Sequence, residues 1–313
     1  MPELTPVRLR LLWFPQAQFA GYLLAQHRGI AAALGIALEC VPIDFKLGPI
    51  DAVLSGDCDL AVASPAHLVE SKAPAELVML LAVQQMSSLI YGARRANGIA
   101  SFADLRGKRV GVWPGGEDLE LRWALRRSGV DAATVTFVPV NDTAAALANG
   151  DVDAAQLTTY HELFELEHHV HDLAPFVFLK AADAGAGLLK DGLIARRDWL
   201  AENAAVAQAM VDSALAGWTA AFTDPAAAIA LCMTLRPDLS REHHERQLAA
   251  IRDVSLPAAT LTSGLGFPDP QHMRDAVTAL RETHGHDVVL GADGGVDRRF
   301  WDAAPAASRT ARW

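Results

Sequence analysis

Strand-like and helix-like patterns alternate through the first two thirds of the chain. Val7 to Trp13 reads as a strand, and Ala17 to Leu34 follows with apolar residues at helical spacing (Ala20, Leu23, Leu24, Ile30, Ala31, Leu34). Gly35 is placed to stop that helix in the C′ position. Ala37–Pro42 predicts the next strand, Pro49–Leu54 a short helix stopped by Gly56, and Asp59–Ala63 a buried strand. Ser64 followed by Pro65 predicts a capped helix start. Glu76–Val83 and Leu89–Ala93 complete this first series of strands.

A second series begins at Ser101, which caps a helical turn ending at Gly107. Strands are expected at Lys108–Trp113, Thr134–Pro139, Val152–Leu157, Phe176–Leu179 and Gly192–Arg196. Helices are expected at Glu117–Ser128, from the Asp142 cap to Asn149, and at Tyr160–His168. From Trp199 onward the chain reads as helical and Ala-rich. This alternation predicts an α/β protein with mostly parallel, doubly wound sheets. Two such series imply two lobes: a discontinuous lobe 1 of residues 1–93 and 196–313, and lobe 2 of residues 94–195.

Composition narrows the function classes. The 313 residues are 51% hydrophobic and 20% charged, enough to bury sizeable cores, which excludes global disorder. The net charge of −10 argues against nucleic acid or an anionic membrane surface as the main partner. Apolar runs such as Leu77–Val83 are too short to span a bilayer. The chain enters its first strand without a basic and then apolar leader, so it is either cytoplasmic or lacks a signal removed beforehand. Cys40, Cys58 and Cys232 form no CxxC pair and read as small buried hydrophobes.

The candidate chemistry clusters after predicted strands, where open α/β sheets bind ligands. Trp13, Gln16, Gln18 and Tyr22 follow the first strand and combine flat rings with amide groups that suit a planar, polar-edged ligand; equally, the two aromatics could simply pack strand against helix. The turn Trp113-Pro-Gly115-Gly116-Glu117 would let backbone N–H groups approach a ligand. Its acids Glu117, Asp118 and Glu120 would repel an anion, or are an ordinary acidic first turn of a helix. Thr158, Tyr160 and Glu162 end another strand, and Asp191 sits at the second crossover, as an acceptor for a ligand or as a turn cap. Ser64 and His67 share one turn at a helix start, a spacing more typical of capping than of catalysis. Gln84 joins the candidate ligand set. The histidines at 161, 168, 169 and 171, with Glu165, and the pairs His243-His244 and His284/His286 lack the HExxH and zinc-ribbon spacings and read as solvated faces.

An ordered set of motifs gives the chain a family. The run from Trp13 to Tyr22, Leu54-Ser-Gly-Asp-Cys-Asp-Leu-Ala-Val-Ala-Ser, Phe102-Ala-Asp-Leu-Arg-Gly-Lys-Arg-Val-Gly, Ala145 to Ala155 and Gly217-Trp218 through Asp224-Pro225 together resemble the SsuA/thiamine-pyrimidine-synthase-like superfamily of solute-binding proteins. The similarity runs from about Val7 to Ala303. It implies a type II periplasmic-binding-protein fold, two lobes joined by a hinge, and delivery of a solute to the permease of an ABC importer. The chain looks closest to the members that bind thiamine pyrimidine precursors or riboflavin. By that resemblance the solute is a heteroaromatic ring held in the interlobe cleft against Trp13, with Tyr22 or Tyr160 on another side and Gln16, Gln18, Glu117 and Asp191 on its polar edge. It implies no cofactor, no metal and a monomer.

Two departures bear on an enzymatic alternative. The pyrimidine synthases of the superfamily carry a lysine four residues before a site histidine. His67 matches the histidine, but Ala63 stands at the lysine position, so no Schiff base to pyridoxal phosphate can form there. Their cysteine-rich run corresponds to Gly185–Leu189, which has no cysteine. The desulfinase relatives need a cysteine nucleophile in the first lobe, and Cys40 and Cys58 lie on or beside predicted strands. Binding is therefore the expected function, with a synthase-related enzyme or a cytoplasmic ligand-binding protein as alternatives.

Overall fold

The computed structural model describes residues 3–114, 117–257 and 263–310. In chain order its elements are β1 (Thr5–Arg10), α1 (Ala20–His27), α2 (Ile30–Ala33), β2 (Ile36–Val41), α3 (Pro49–Leu54), β3 (Leu60–Ala63), α4 (Pro65–Val69), β4 (Leu77–Ala82) and β5 (Leu89–Arg94). They continue with β6 (Arg109–Val112), α5 (Leu119–Arg127), β7 (Thr136–Pro139), α6 (Thr143–Asn149), β8 (Ala154–Thr158), α7 (Glu162–Val170), β9 (Phe176–Leu179) and β10 (Gly192–Arg196). The remainder is helical: α8 (Arg197–Glu202), α9 (Ala204–Thr223), α10 (Pro225–Leu235), α11 (Arg241–Ser255), α12 (Pro270–His284), α13 (Arg299–Ala303) and α14 (Ala306–Arg309). Among the described residues no single helix is long and apolar enough to cross a membrane.

The chain divides into unit 1 (residues 1–86, 189–274 and 288–313) and unit 2 (residues 87–188 and 275–287). The chain passes between the units at Met86/Ser87, Leu188/Leu189, Arg274/Asp275 and Asp287/Val288; the last two were not expected, and the first two lie several residues before the positions expected from the sequence. The reason is strand pairing: β5 pairs β8 and β9 of unit 2, whereas β10 pairs β3 and β4 of unit 1.

Each unit is built on its own five-stranded sheet, with orders β2-β1-β3-β10-β4 and β7-β6-β8-β5-β9. In unit 1, β1 runs parallel to β2 and β3, while β10 is antiparallel to both neighbours. In unit 2, β6 is parallel to β7 and β8, while β5 is antiparallel to β8 and β9. The sheets are thus mostly parallel with one reversed strand each, and in both cases it is a strand at a crossover. Parallel strands of this kind are covered on both faces and read as apolar runs; β3 and β4 are buried at every residue.

Strand register sets the site. Gly192 pairs with Ala63 of β3 and with Ala82 of β4. Because β10 is antiparallel, its start lies at the carboxyl ends of those two strands. Asp191 is therefore delivered to the place where Ser64 and Gln84 leave the sheet, the ligand side of an open α/β sheet.

The helix expected over Ala17–Leu34 is broken. A 3-10 turn over Ala17–Phe19 precedes α1, and Gly29 at φ 71° separates α1 from α2. Only glycine reaches that left-handed conformation at no steric cost. Helix α1 packs against α9 at a point where both carry glycine. A Cβ on Gly217 would lie 2.1 Å from the Gly21 carbonyl oxygen, and one on Gly21 would lie 2.3 Å from the Trp218 ring.

Candidate functional site

β1 ends at Arg10, so Trp13, Gln16 and Gln18 lie beyond the strand rather than in it. Arg10 closes the strand end from below: it is buried and ion-paired to Asp57 at 2.7 Å. Trp13 is half-buried, and Ile43 N–H donates to its carbonyl at 3.3 Å. Its indole meets Phe14 and Phe45 edge-on, at centroid distances of 5.5 and 5.4 Å, and those two rings lie 6.0 Å apart. Phe45, on the loop after β2, is 70% exposed, so this three-ring cluster keeps an open apolar face.

Beside that cluster runs a chain of buried amides. Gln16 Nε2 donates to Gln18 Oε1 at 3.0 Å, and Gln18 Nε2 donates to the Asp191 carboxylate at 2.9 Å. All three residues are buried. The Asp191 carbonyl accepts from Val83 N–H at 3.1 Å and from Gln84 N–H at 3.4 Å, which fixes Gln84 in the same place. The Tyr22 phenol is pushed far above its ordinary value, by burial first and by Asp191 second.

Three of the sequence candidates in unit 1 have structural duties. Tyr22 is buried in α1, edge-on to Trp218 of α9 with centroids 5.9 Å apart, so its ring belongs to the helix packing and is not a stacking wall. Ser64 and His67 form a reciprocal capping box. Ser64 Oγ accepts from His67 N–H at 3.1 Å, and His67 Nδ1 accepts from Ser64 N–H at 3.1 Å.

In unit 2, Trp113 is half-buried just past β6. Gly115 and Gly116 lie outside the described residues. The acids that follow are not a free, anion-repelling turn. Asp118 is paired with Arg122 at 2.8 Å. Glu120 is buried, accepting from Leu188 N–H at 2.5 Å and from the Tyr91 hydroxyl at 3.3 Å. The Glu117 carbonyl accepts from Gln156 Nε2 at 2.8 Å. At the end of β8, the Glu162 carboxylate accepts from Thr158 N–H at 2.9 Å and from its hydroxyl, closing the turn into α7. Tyr160 is buried. His168 and His169 are exposed, as a solvated face requires, but His244 is fully buried in α11, with Nε2 3.3 Å from the Arg236 carbonyl, contrary to the surface reading.

The sequence reading overlooked Gln247 and Ser255. Both are fully buried in α11, and Gln247 Oε1 accepts from Ala17 N–H at 2.9 Å, directly behind Gln16. The available signal was their helical spacing with Leu248, Ile251 and Val254, which puts polar groups on the apolar face of an amphipathic helix.

The sheet orders, with one reversed strand in each sheet, define a type II periplasmic-binding-protein fold, and solved structures agree. The alkanesulfonate-binding protein SsuA from Xanthomonas axonopodis pv. citri, bound to MOPS, matches with a TM-score of 0.62 and 18% identity over 95% of this chain and 100% of that one. The ligand-binding component of an ABC-type import system from Staphylococcus aureus, with zinc bound, gives 0.67 and 15% over 96% and 99%. The desulfurization enzyme DSZB gives 0.60 and 16% over 95% and 98%. At these identities the likeness establishes the fold alone. A sequence comparison with curated proteins gives no match. The chain belongs to the NMT1/THI5 like family, whose model matches residues 16–228.

Proposed function

We propose that the protein is the solute-binding component of an ABC importer, acting outside the cytoplasmic membrane, and that its solute is a small planar nitrogen heterocycle of the thiamine-pyrimidine or riboflavin kind. The family and the transport-associated neighbours support the binding role. The observation that carries the ligand class is the chain Gln16–Gln18–Asp191 beside the half-open Trp13 ring cluster. A flat ring gains stacking on the indole face, about 0.5–1.5 kcal/mol beyond area burial. Amides and a carboxylate suit the donor and acceptor edge of such a ring, and a wrong ligand would leave them unpaired.

A thermal-shift screen of riboflavin, thiamine's aminopyrimidine precursor and an alkanesulfonate tests this reading, with calorimetry on the hits. The right solute at a hundredfold excess over its Kd adds about 2.7 kcal/mol of stability. Trp13→Ala is expected to weaken its binding at least tenfold. Binding of the sulfonate with no response to either heterocycle overturns the proposal.

A further inference from the structure

The buried polar atoms of unit 1 without a hydrogen-bond partner among the described residues include Gln16 Oε1, both amide atoms of Gln84, Gln247 Nε2 and Ser255 Oγ. Their residues are 1%, 1%, 0% and 0% exposed. Side chains so deeply buried normally satisfy their polar atoms, so a group of orphans needs an explanation. These five are linked through the backbone. Gln247 bonds the Ala17 N–H next to Gln16, the Gln84 N–H bonds the Asp191 carbonyl, and Gln85 N–H bonds the carbonyl of Val254, the neighbour of Ser255, at 2.8 Å. Three chain segments far apart in sequence thus bring their unsatisfied atoms to the end of one sheet.

Resting on the reading above that this end of unit 1 is the solute site, we propose that Gln84, Gln247 and Ser255 complete it as a neutral polar subsite. The orphan set holds amide N–H donors, amide oxygens and a hydroxyl that can do either. It therefore fits a ligand edge presenting donors and acceptors side by side, such as an aminopyrimidine or a cyclic ureide. An edge with acceptors only would leave Gln16 Oε1 and Gln84 Oε1 unpaired, beside the Asp191 carboxylate.

The test separates a ligand subsite from internal structure, because the two make opposite predictions for the empty protein. Gln84→Met keeps the volume and removes both orphan atoms, and Ser255→Ala removes the orphan hydroxyl. If no protein group satisfies these atoms, neither variant melts below the wild type without ligand. Each is expected to bind riboflavin or thiamine's aminopyrimidine precursor at least tenfold more weakly. Wild-type affinity in both variants overturns the subsite and leaves the orphans holding ordered water only, while the reading of the site survives if Trp13→Ala still weakens binding. If the wild type binds neither heterocycle, the reading of the site fails. The subsite is then judged on melting alone: variants that melt lower than the wild type overturn it, and variants that melt as high or higher retain it for another ligand of mixed donor and acceptor character.

Discussion

The Gln18 side-chain amide donates to the carboxylate of Asp191 at 2.9 Å, tying together residues 173 positions apart in the chain. Gln18 sits in the first turn after β1, and Asp191 sits at the point where the chain re-enters the same sheet. Gln18→Leu would leave a buried carboxylate short of a donor and Gln16 Nε2 short of an acceptor. We expect it to destabilise unit 1 by about 1–3 kcal/mol, seen as a lower urea midpoint at unchanged m. A stability equal to wild type would show that the bond contributes nothing.

Ser64 and His67 serve the helix start of α4 through their reciprocal bonds. Ser64→Ala should cost about 1 kcal/mol in denaturant unfolding and leave solute affinity within twofold of wild type. A loss of affinity larger than the loss of stability would return Ser64 to the ligand set.

At Gly217 an added methyl would meet the Gly21 carbonyl oxygen at 2.1 Å, and backbone cannot swing aside as a flexible side chain can. Gly217→Ala is expected to cost on the order of 3 kcal/mol. Gly98→Ala is not a fair control, since Gly98 has φ 71°. Ala216→Gly, one position earlier on the same helix, reports the propensity effect alone, about 1 kcal/mol.

The three thiols are buried, and burial raises their pKa values. Cys232 is pushed up to about 12, and Cys40 and Cys58 are also raised. Burial thus disfavours the thiolate form of each at neutral pH. With a chromogenic disulfide reagent, the native protein should label slowly and the denatured protein should release three equivalents at once. Rapid labelling of one cysteine in the native state would favour the enzymatic alternative.

Acid stability follows from carboxylates held low in the folded state. Hydrogen bonds from Arg236 bring Asp238 down to about 2, those from Arg10 lower Asp57, and backbone and Ser101 donors lower Asp104. For each, the folded pKa lies below the ordinary 3.8, so the unfolded chain takes up protons first as pH falls. The stabilisation is therefore complete above about pH 5 and is lost from about pH 4 down towards pH 2. Because Asp238 is largely exposed and Asp57 partly so, screening keeps each contribution small. A thermal midpoint that rose on acidification from pH 5 to pH 3 would contradict this.

Much of the fold was legible because it is encoded locally. Ser64-Pro65 and Asp142 cap the helices that their residue types announce, and Gly35 and Gly56 follow the ends of α2 and α3 with φ of 84° and 77°. The interruption at Gly29 was hidden because apolar spacing continues through it. The fate of the acids after Trp113 was not legible either. An acid in a first helical turn is normally solvated, and only the packing of Leu188 and Tyr91 shows that Glu120 is buried. Gln247 and Ser255 escaped notice for a similar reason: their surroundings come from segments distant in sequence. The position of Trp13, Gln16, Gln18 and Asp191 beyond strand ends was legible because strand ends are visible in the pattern.

The placement of β10 between β3 and β4 has a consequence for synthesis. When the ribosome has made β4, the strand that must lie beside it is still unmade, because β4 ends at Ala82 and β10 begins at Gly192. At ordinary elongation rates that interval is on the order of ten seconds. Throughout it the nascent chain exposes two apolar strands whose facing edges are unpaired, the kind of edge that seeds aggregation. The sheet of unit 1 thus cannot close until most of unit 2 has been made.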